Sequence, residues 1–179
     1  MHIPDGGTLH MHAGPHTDLF IDPRGGKRVL NAPQQLQPVS GDFLLKARVT
    51  VEFQGTFDAG ALLIEVDDET WGKLCFEYSP QRQPMIVSVV TRQLSDDCNS
   101  SVVSGNRVWL RVARLGQAVA FHASYDGETW AFVRHFALPM GGSVQVGFVA
   151  QAPTGHGCDV TFDSIRFEAR TLADLRSGI

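Results

Sequence analysis

From Phe43 to Ala169 the chain is a succession of short apolar stretches of period two, each stopped by a turn. That pattern limits the fold more than any other feature. FLLKARVTVEF (43–53), ALLIEV (61–66), WGKLCFEY (71–78), MIVSVVTRQ (85–93) and VWLRVARL (108–115) come first. AVAFHASY (118–125), TWAFVRHF (129–136), VQVGFVAQ (144–151) and CDVTFDSIRFEA (158–169) follow. Strands at this spacing signal an all-β sandwich or barrel. Leu115-Gly116-Gln117 and Tyr125-Asp126-Gly127-Glu128 mark two hairpins, the second through an Asp-Gly pair that tolerates positive φ. The stretch 1–40 is less regular. TLHMHA (8–13) and DLFID (18–22) read as strands, whereas PRGGKR, NAPQQLQP and the later LSDDCNSS read as loops. A helical period is visible only in TLADLRSG (171–178), which predicts a short helix packed outside. The expected organisation is one sandwich domain over 1–179, with 1–7 and 171–179 peripheral.

Composition narrows the class of partner. The formal net charge is −4 with no basic block, which argues against nucleic-acid binding, since that affinity rests on neutralised phosphates. No apolar run approaches the ~20 residues of a membrane-spanning helix. No basic start followed by an apolar stretch marks a secretory signal. Cys75, Cys98 and Cys158 are odd in number and lack CxxC spacing. That disfavours a disulfide framework or a zinc knuckle and points to a reducing, cytoplasmic setting. Cys75 within KLCFEY reads as a packed thiol.

Alternate side chains along a strand face opposite ways. One set is apolar: Leu62, Ile64 and Val66; Leu74, Phe76 and Tyr78; Val108, Leu110 and Val112; Val119, Phe121 and Ala123. It predicts the core face. The other set places Trp71, Lys73, Cys75 and Glu77 alongside Trp109, Arg111 and Ala113, and Ala120, His122 and Ser124. A face with tryptophan beside arginine, glutamate and histidine suits a sugar, whose apolar side stacks on indole while polar groups take its hydroxyls. It suits a protein partner equally, since Trp and Arg are enriched in hot spots. The opposing expectation is that the chain's own ends cover Trp71 and Trp109 as a second small core.

A set of short motifs occurs in order: Thr17-Asp18-Leu19-Phe20, Asn31-Ala32-Pro33, Gly41-Asp42-Phe43, Ala59-Gly60-Ala61-Leu62 and Trp71-Gly72-Lys73 with Glu77. Val89-Val90-Thr91 with Ser95-Asp96, Ser124-Tyr125-Asp126-Gly127 with Trp130, and Ala152-Pro153 with Gly155 complete it. Together, across roughly 8–169, they resemble the DUF1349 family. The resemblance implies an antiparallel two-sheet jelly-roll sandwich of the concanavalin A-like kind. Such a fold is similar to lectins, laminin G-like domains and accessory domains of some glycosidases, and some family members carry a name linking them to enolase regulation. Fold similarity does not transfer function. The chain departs from the family at Asp18-Leu19-Phe20, often TDFW, and at Ser95-Asp96-Asp97-Cys98, often Ser-Asp-Trp-Ser, so a loop aromatic flanking the concave face is absent.

The first functional expectation is a non-catalytic binding module for a carbohydrate or glycan-like ligand on the concave face. Trp71 and Trp109 would stack, and Lys73, Glu77, Thr91, Asp96, Arg111 and His122 would make polar contacts. The second is a glycosidase-like enzyme using Glu65 and Glu77, placed opposite one another on neighbouring strands. The third is a protein-interaction domain using the same face. Glu65-Val66-Asp67-Asp68-Glu69 resembles a glucanase ExDxxE signature but falls at an expected turn. His10 and His12 share a strand face without a nearby carboxylate to complete a metal site. Ser124, His122 and Asp126 lie too close in one hairpin for a catalytic triad. No cofactor is expected.

Overall fold

The computed structural model describes residues 6–179, so the first five positions of the 1–7 segment lie outside the described residues. The chain forms β1 (Leu9–Ala13), β2 (Leu19–Ile21), β3 (Arg28–Leu30), β4 (Gln34–Ser40), β5 (Phe43–Glu52), β6 (Ala59–Asp67) and β7 (Thr70–Tyr78). It continues through β8 (Pro84–Arg92), β9 (Leu94–Val102), β10 (Arg107–Leu115), β11 (Ala118–Ser124), β12 (Ala131–Ala137), β13 (Ser143–Gln151) and β14 (Cys158–Glu168). Two six-stranded sheets stack, with orders β1-β14-β5-β10-β11-β12 and β4-β13-β6-β7-β8-β9, and every pairing is antiparallel. β2 and β3 form a separate hairpin. The all-β, two-sheet sandwich is the fold expected from the sequence.

The apolar parity set meets between the sheets, where Leu62, Ile64, Leu74, Phe76, Leu110, Val112, Val119 and Phe121 are buried in one cluster. Tyr78 stacks on Phe53, ring centroids 5.1 Å apart. Two glycines let the layers close. A Cβ on Gly60 would lie 2.5 Å from Val160 Cγ1, and one on Gly72 would lie 2.7 Å from Phe136 Cζ. Both belong to the motifs that carry the family resemblance.

Three segments read as loops contain strands. LSDDCNSS lies in β9 and most of NAPQQLQP in β4, the two edges of the second sheet. PRGGKR covers the β2–β3 turn and the first residue of β3. Edge strands have one neighbour and need no apolar face, so their sequences lose the alternation. β9 is exposed at all but one position, and β4 carries Pro38, which an edge tolerates because no N–H is required outward.

The tail holds no helix. Residues 171–174 are irregular and 175–178 form a turn, with Gly178 N–H donating to the Asp174 carbonyl and Asp174 N–H to the Ile179 carbonyl. Eight residues have little helical stability of their own, so packing decides their conformation. Here the tail's carbonyls and leucines are taken up by the sheet beneath.

Candidate functional site

Parity sorts residues into inward and outward but does not say which sheet they leave. Trp71, Lys73, Glu77 and Thr91 point out from the second sheet, whereas Trp109, Arg111 and His122 point out from the first. The eight expected ligand residues therefore do not share one face, and the two tryptophans lie on opposite sides of the molecule.

On the second sheet, the β2–β3 hairpin lies over the half near Trp71. Leu19, Ala32, Leu63, Trp71, Cys75, Val87 and Val149 form a second apolar cluster, with Phe20 and Leu30 against it. Trp71 is fully buried there, so it cannot stack on a ligand. Thr91 is buried as well. Its hydroxyl lies 2.9 Å from that of Ser95, and Ser95 Oγ accepts from the Ile21 N–H at 2.9 Å, so the pair pins the hairpin down. The hairpin neck explains two motifs. Asp18 N–H donates to Asn31 Oδ1 at 2.9 Å, and the Asn31 and Ala32 N–H groups donate to the Asp18 carbonyl at 3.1 Å. Thr17-Asp18 and Asn31-Ala32 thus hold each other, and Asp18 is set above Lys73.

The hairpin stops short of the other half of this face. Beneath its edge is a cavity of about 320 Å³, lined by Asp18, Phe20, Phe57, Lys73, Glu77 and Gln151 among others. That is within the range of small-molecule sites, ~300–1,000 Å³. Its floor is β7. Lys73 is almost entirely buried, donates to Gln151 Oε1 at 2.7 Å and lies 3.8 Å from Asp18 Oδ1. An ammonium has three donors, and one short bond leaves capacity for a ligand. Gln151 Nε2 donates to the Phe57 carbonyl at 3.1 Å. Glu77 keeps a strip of solvent access at the mouth but is otherwise enclosed by protein. Burial pushes its carboxyl up to about 7; Lys73 opposes the rise, and Asp18 and Asp97 add to it. Asp97 comes from β9, opposite Val89. Near neutral pH the cavity therefore offers a cation, an amide and a carboxyl able both to donate and to accept.

Asp97 takes the place expected for Asp96. Asp96 faces the other way and pairs with Arg134 at 3.2 Å. Glu65 and Glu77 are not a catalytic pair. Glu65 stands opposite Trp71, and Glu77 is six positions further along β7, opposite Ala59. At ~3.4 Å per residue that is ~20 Å, against ~5–5.5 Å for a retaining glycosidase. Asp68 and Glu69 are held at the β6–β7 turn by Arg28, at 2.8 and 2.6 Å. His10 and His12 bond Thr161 and Asp159 of β14. No cluster of three metal-ligating side chains occurs among the described residues.

On the first sheet, the tail covers Arg111 and His122. Arg111 Nη2 donates to the Gly178 carbonyl at 2.8 Å, and its guanidinium lies 4.2 Å from the Trp130 ring. His122 Nε2 donates to the Leu175 carbonyl at 2.6 Å, which leaves Nδ1 buried without a partner. Burial holds the imidazole down to about 4, so it stays neutral. Trp109 lies under Gly127, where a Cβ would come within 2.7 Å of the indole. The opposing expectation of self-cover describes Trp71, which lies beneath the β2–β3 hairpin; Trp109 is half-buried under the β11–β12 turn, which is neither end of the chain.

Phe57, Asp97 and Gln151 are absent from the expected sugar-binding set, and Asp18 and Phe20 enter the sequence pattern only as motif residues. Phe57 and Gln151 come from a loop and a strand end, where periodicity carries no signal. Asp97 shows in the parity of β9 once LSDDCNSS is known to be a strand.

A family model described as "Protein of unknown function (DUF1349)" matches residues 1–170. "Regulation of enolase protein 1" of Saccharomyces cerevisiae is 31% identical over 138 residues, covering 74% of this chain and 69% of that protein. The crystal structure of a functionally unknown protein from S. cerevisiae superposes with a TM-score of 0.87 at 23% identity, over 95% of this chain and 92% of that one. The GH43 protein BlXynB of Bacillus licheniformis superposes at 0.69 with 16% identity, over 91% of this chain and 33% of that one. For a xylan β-1,4-xylosidase of Bacillus halodurans the TM-score is 0.64 at 15% identity, over 89% and 32%. At these identities the structural likeness is one of fold, and the chain spans about a third of each Bacillus protein.

Proposed function

We propose that this chain, which belongs to the DUF1349 family, is a non-catalytic binding module for a carbohydrate or glycan-like ligand. Its site is the cavity between the β2–β3 hairpin and β7. The observation that carries this reading is the buried Lys73, bonded to Gln151 and set beside Asp18, on the floor of a cavity walled by Phe20 and Phe57. Closely spaced donors and acceptors of both charge signs recognise hydroxyl groups, and aromatic walls take the apolar side of a sugar ring. A strongly anionic or cationic ligand would meet like charge on one side. The separation of Glu65 from Glu77 supports binding over hydrolysis. The fold also accompanies xylan-cleaving chains, a setting in which a sugar pocket is useful.

Three free cysteines, one of them exposed, support a reducing compartment such as the cytoplasm. No helix among the described residues is long and apolar enough to cross a membrane.

The test is a glycan array with wild type, Phe57→Ala, Asp97→Ala and Trp109→Ala. Binding is expected in wild type and Trp109→Ala and is weakened in the other two. Wild-type release of new reducing ends would replace this reading with the glycosidase one. No glycan binding, together with recovery of one defined partner in pull-downs, would replace it with the protein-interaction reading that the yeast relative's regulatory name suggests.

A further inference from the structure

A second cavity, of about 600 Å³, adjoins the first. It is lined by His16, Lys27, Pro153 and Thr154 among others, and it shares two lining residues with the inner cavity, Asp18 and Phe57. The two spaces meet at these side chains, one polar and one aromatic.

Phe57 is unusual in three respects. It is an exposed large hydrophobic residue. Its φ is +69°, a left-handed conformation that a bulky side chain rarely adopts. Yet it is firmly held: its N–H donates to the Tyr78 carbonyl at 2.7 Å, and its carbonyl accepts from Gln151. The flanking loop is fixed too. Thr154 Oγ1 donates to the Thr56 carbonyl at 2.7 Å, Asp58 Oδ2 accepts from the Gln54 and Gly55 N–H groups, and Gly55 packs against Gly155 so tightly that a Cβ would lie 2.9 Å from its Cα. His16, in the outer cavity, also has positive φ, +60°, and its carbonyl is taken by Asn31 Nδ2. Strained residues held in place by their surroundings concentrate at ligand sites. An exposed ring on a backbone held this firmly, between two cavities, has less freedom to lose when a ligand stacks on it.

We infer that the module has two adjoining subsites and binds a chain of at least two linked sugar units, with Phe57 as the stacking platform between them. One unit occupies the Lys73–Glu77 cavity, and the next lies over Phe57 toward His16, Lys27 and Thr154. The inference rests on the carbohydrate reading above and goes beyond it in ligand length.

The test is calorimetry with the full chain and two probe series: xylose, xylobiose and xylotriose, and glucose, cellobiose and cellotriose. In the series that binds, the disaccharide is expected to bind about tenfold tighter than the monosaccharide, the upper end of one good stacking contact. The trisaccharide is expected to stay within about twofold of the disaccharide. Phe57 also walls the inner cavity, so Phe57→Ala should weaken both ligands, the disaccharide more, and cut the disaccharide's advantage to about threefold or less. Phe57→Leu, which keeps bulk but not the aromatic face, separates stacking from simple filling and should recover less than half of the gain. Equal affinity for mono- and disaccharide would overturn the two-subsite arrangement and leave the single cavity standing. Failure of all six probes to bind, with the amide signals of Lys73 and Gln151 unmoved, would overturn the carbohydrate reading and this inference together.

Discussion

Replacing Glu77 by Gln should raise stability at alkaline pH and leave it unchanged in mild acid. The carboxyl is pushed from its ordinary value of 4.5 up to about 7, first by burial. A carboxyl whose pKa is higher in the folded than in the unfolded protein holds its proton longer when folded. Stability is then fully present below about 4.5, falls as pH rises through the 4.5–7 window, and is lost by that amount above it. About 2.5 pH units at ~1.4 kcal/mol each gives an upper value of ~3.5 kcal/mol. Glu77 is only partly enclosed, and solvent screens some of that cost, so ~1–3 kcal/mol is expected. Glutamine matches the protonated acid in shape. In urea denaturation of the two proteins, the Glu77→Gln advantage should therefore be near zero at pH 4.5 and grow to ~1–3 kcal/mol by pH 8. Comparing the two proteins at each pH cancels the other titrating groups. A constant difference across that range would refute the reasoning and would mean that Glu77 is solvated as an ordinary surface acid.

Two further outcomes are expected. Phe57→Gly relieves a left-handed backbone costing ~1–2 kcal/mol and loosens the unfolded chain by ~0.5–1 kcal/mol, so thermal melting should stay level or rise by a few degrees while ligand binding falls; a large loss of stability would show that the ring is a core element. Deleting residues 171–179 uncovers Leu44, Ala113 and Ala120, removes the buried Leu172 at ~2 kcal/mol, and frees His122. In the full chain the His122 pKa is held down to about 4, so its contribution to stability is lost as pH falls from about 6.5 toward 4. NMR titration of the truncated protein should return the imidazole toward 6.5, and no change would mean that the tail is not what buries it.

Much of the fold was legible because period-two alternation records which side chains face the core. Leu74, Phe76, Leu110 and Phe121 were all placed inward by parity alone, and all are buried between the sheets. The site was much less legible, and for a related reason. Trp71 and Trp109 are both outward-facing, but parity is a property of one strand and carries no information about which sheet that strand joins. Asp96 and Asp97 exchanged roles because β9, an edge strand, lacks the apolar alternation that would set its phase. The cavity depends on contacts distant in sequence, such as Gln151 with Lys73 and Asn31 with Asp18, whose local patterns are those of ordinary strand ends and turns. Lys73 and Glu77 alone among the expected ligand residues line the cavity, and they share a strand, the one case in which parity sufficed.

The most direct test of the account is to map, by amide chemical-shift changes in the labelled full chain, where a glycan that scores on the array binds. The account predicts perturbations concentrated at Asp18, Phe57, Lys73, Glu77, Asp97 and Gln151, with the amides of Trp109, Arg111 and His122 unmoved. Shifts centred on Trp109, Arg111 and His122, with the β2–β3 cavity silent, would contradict it.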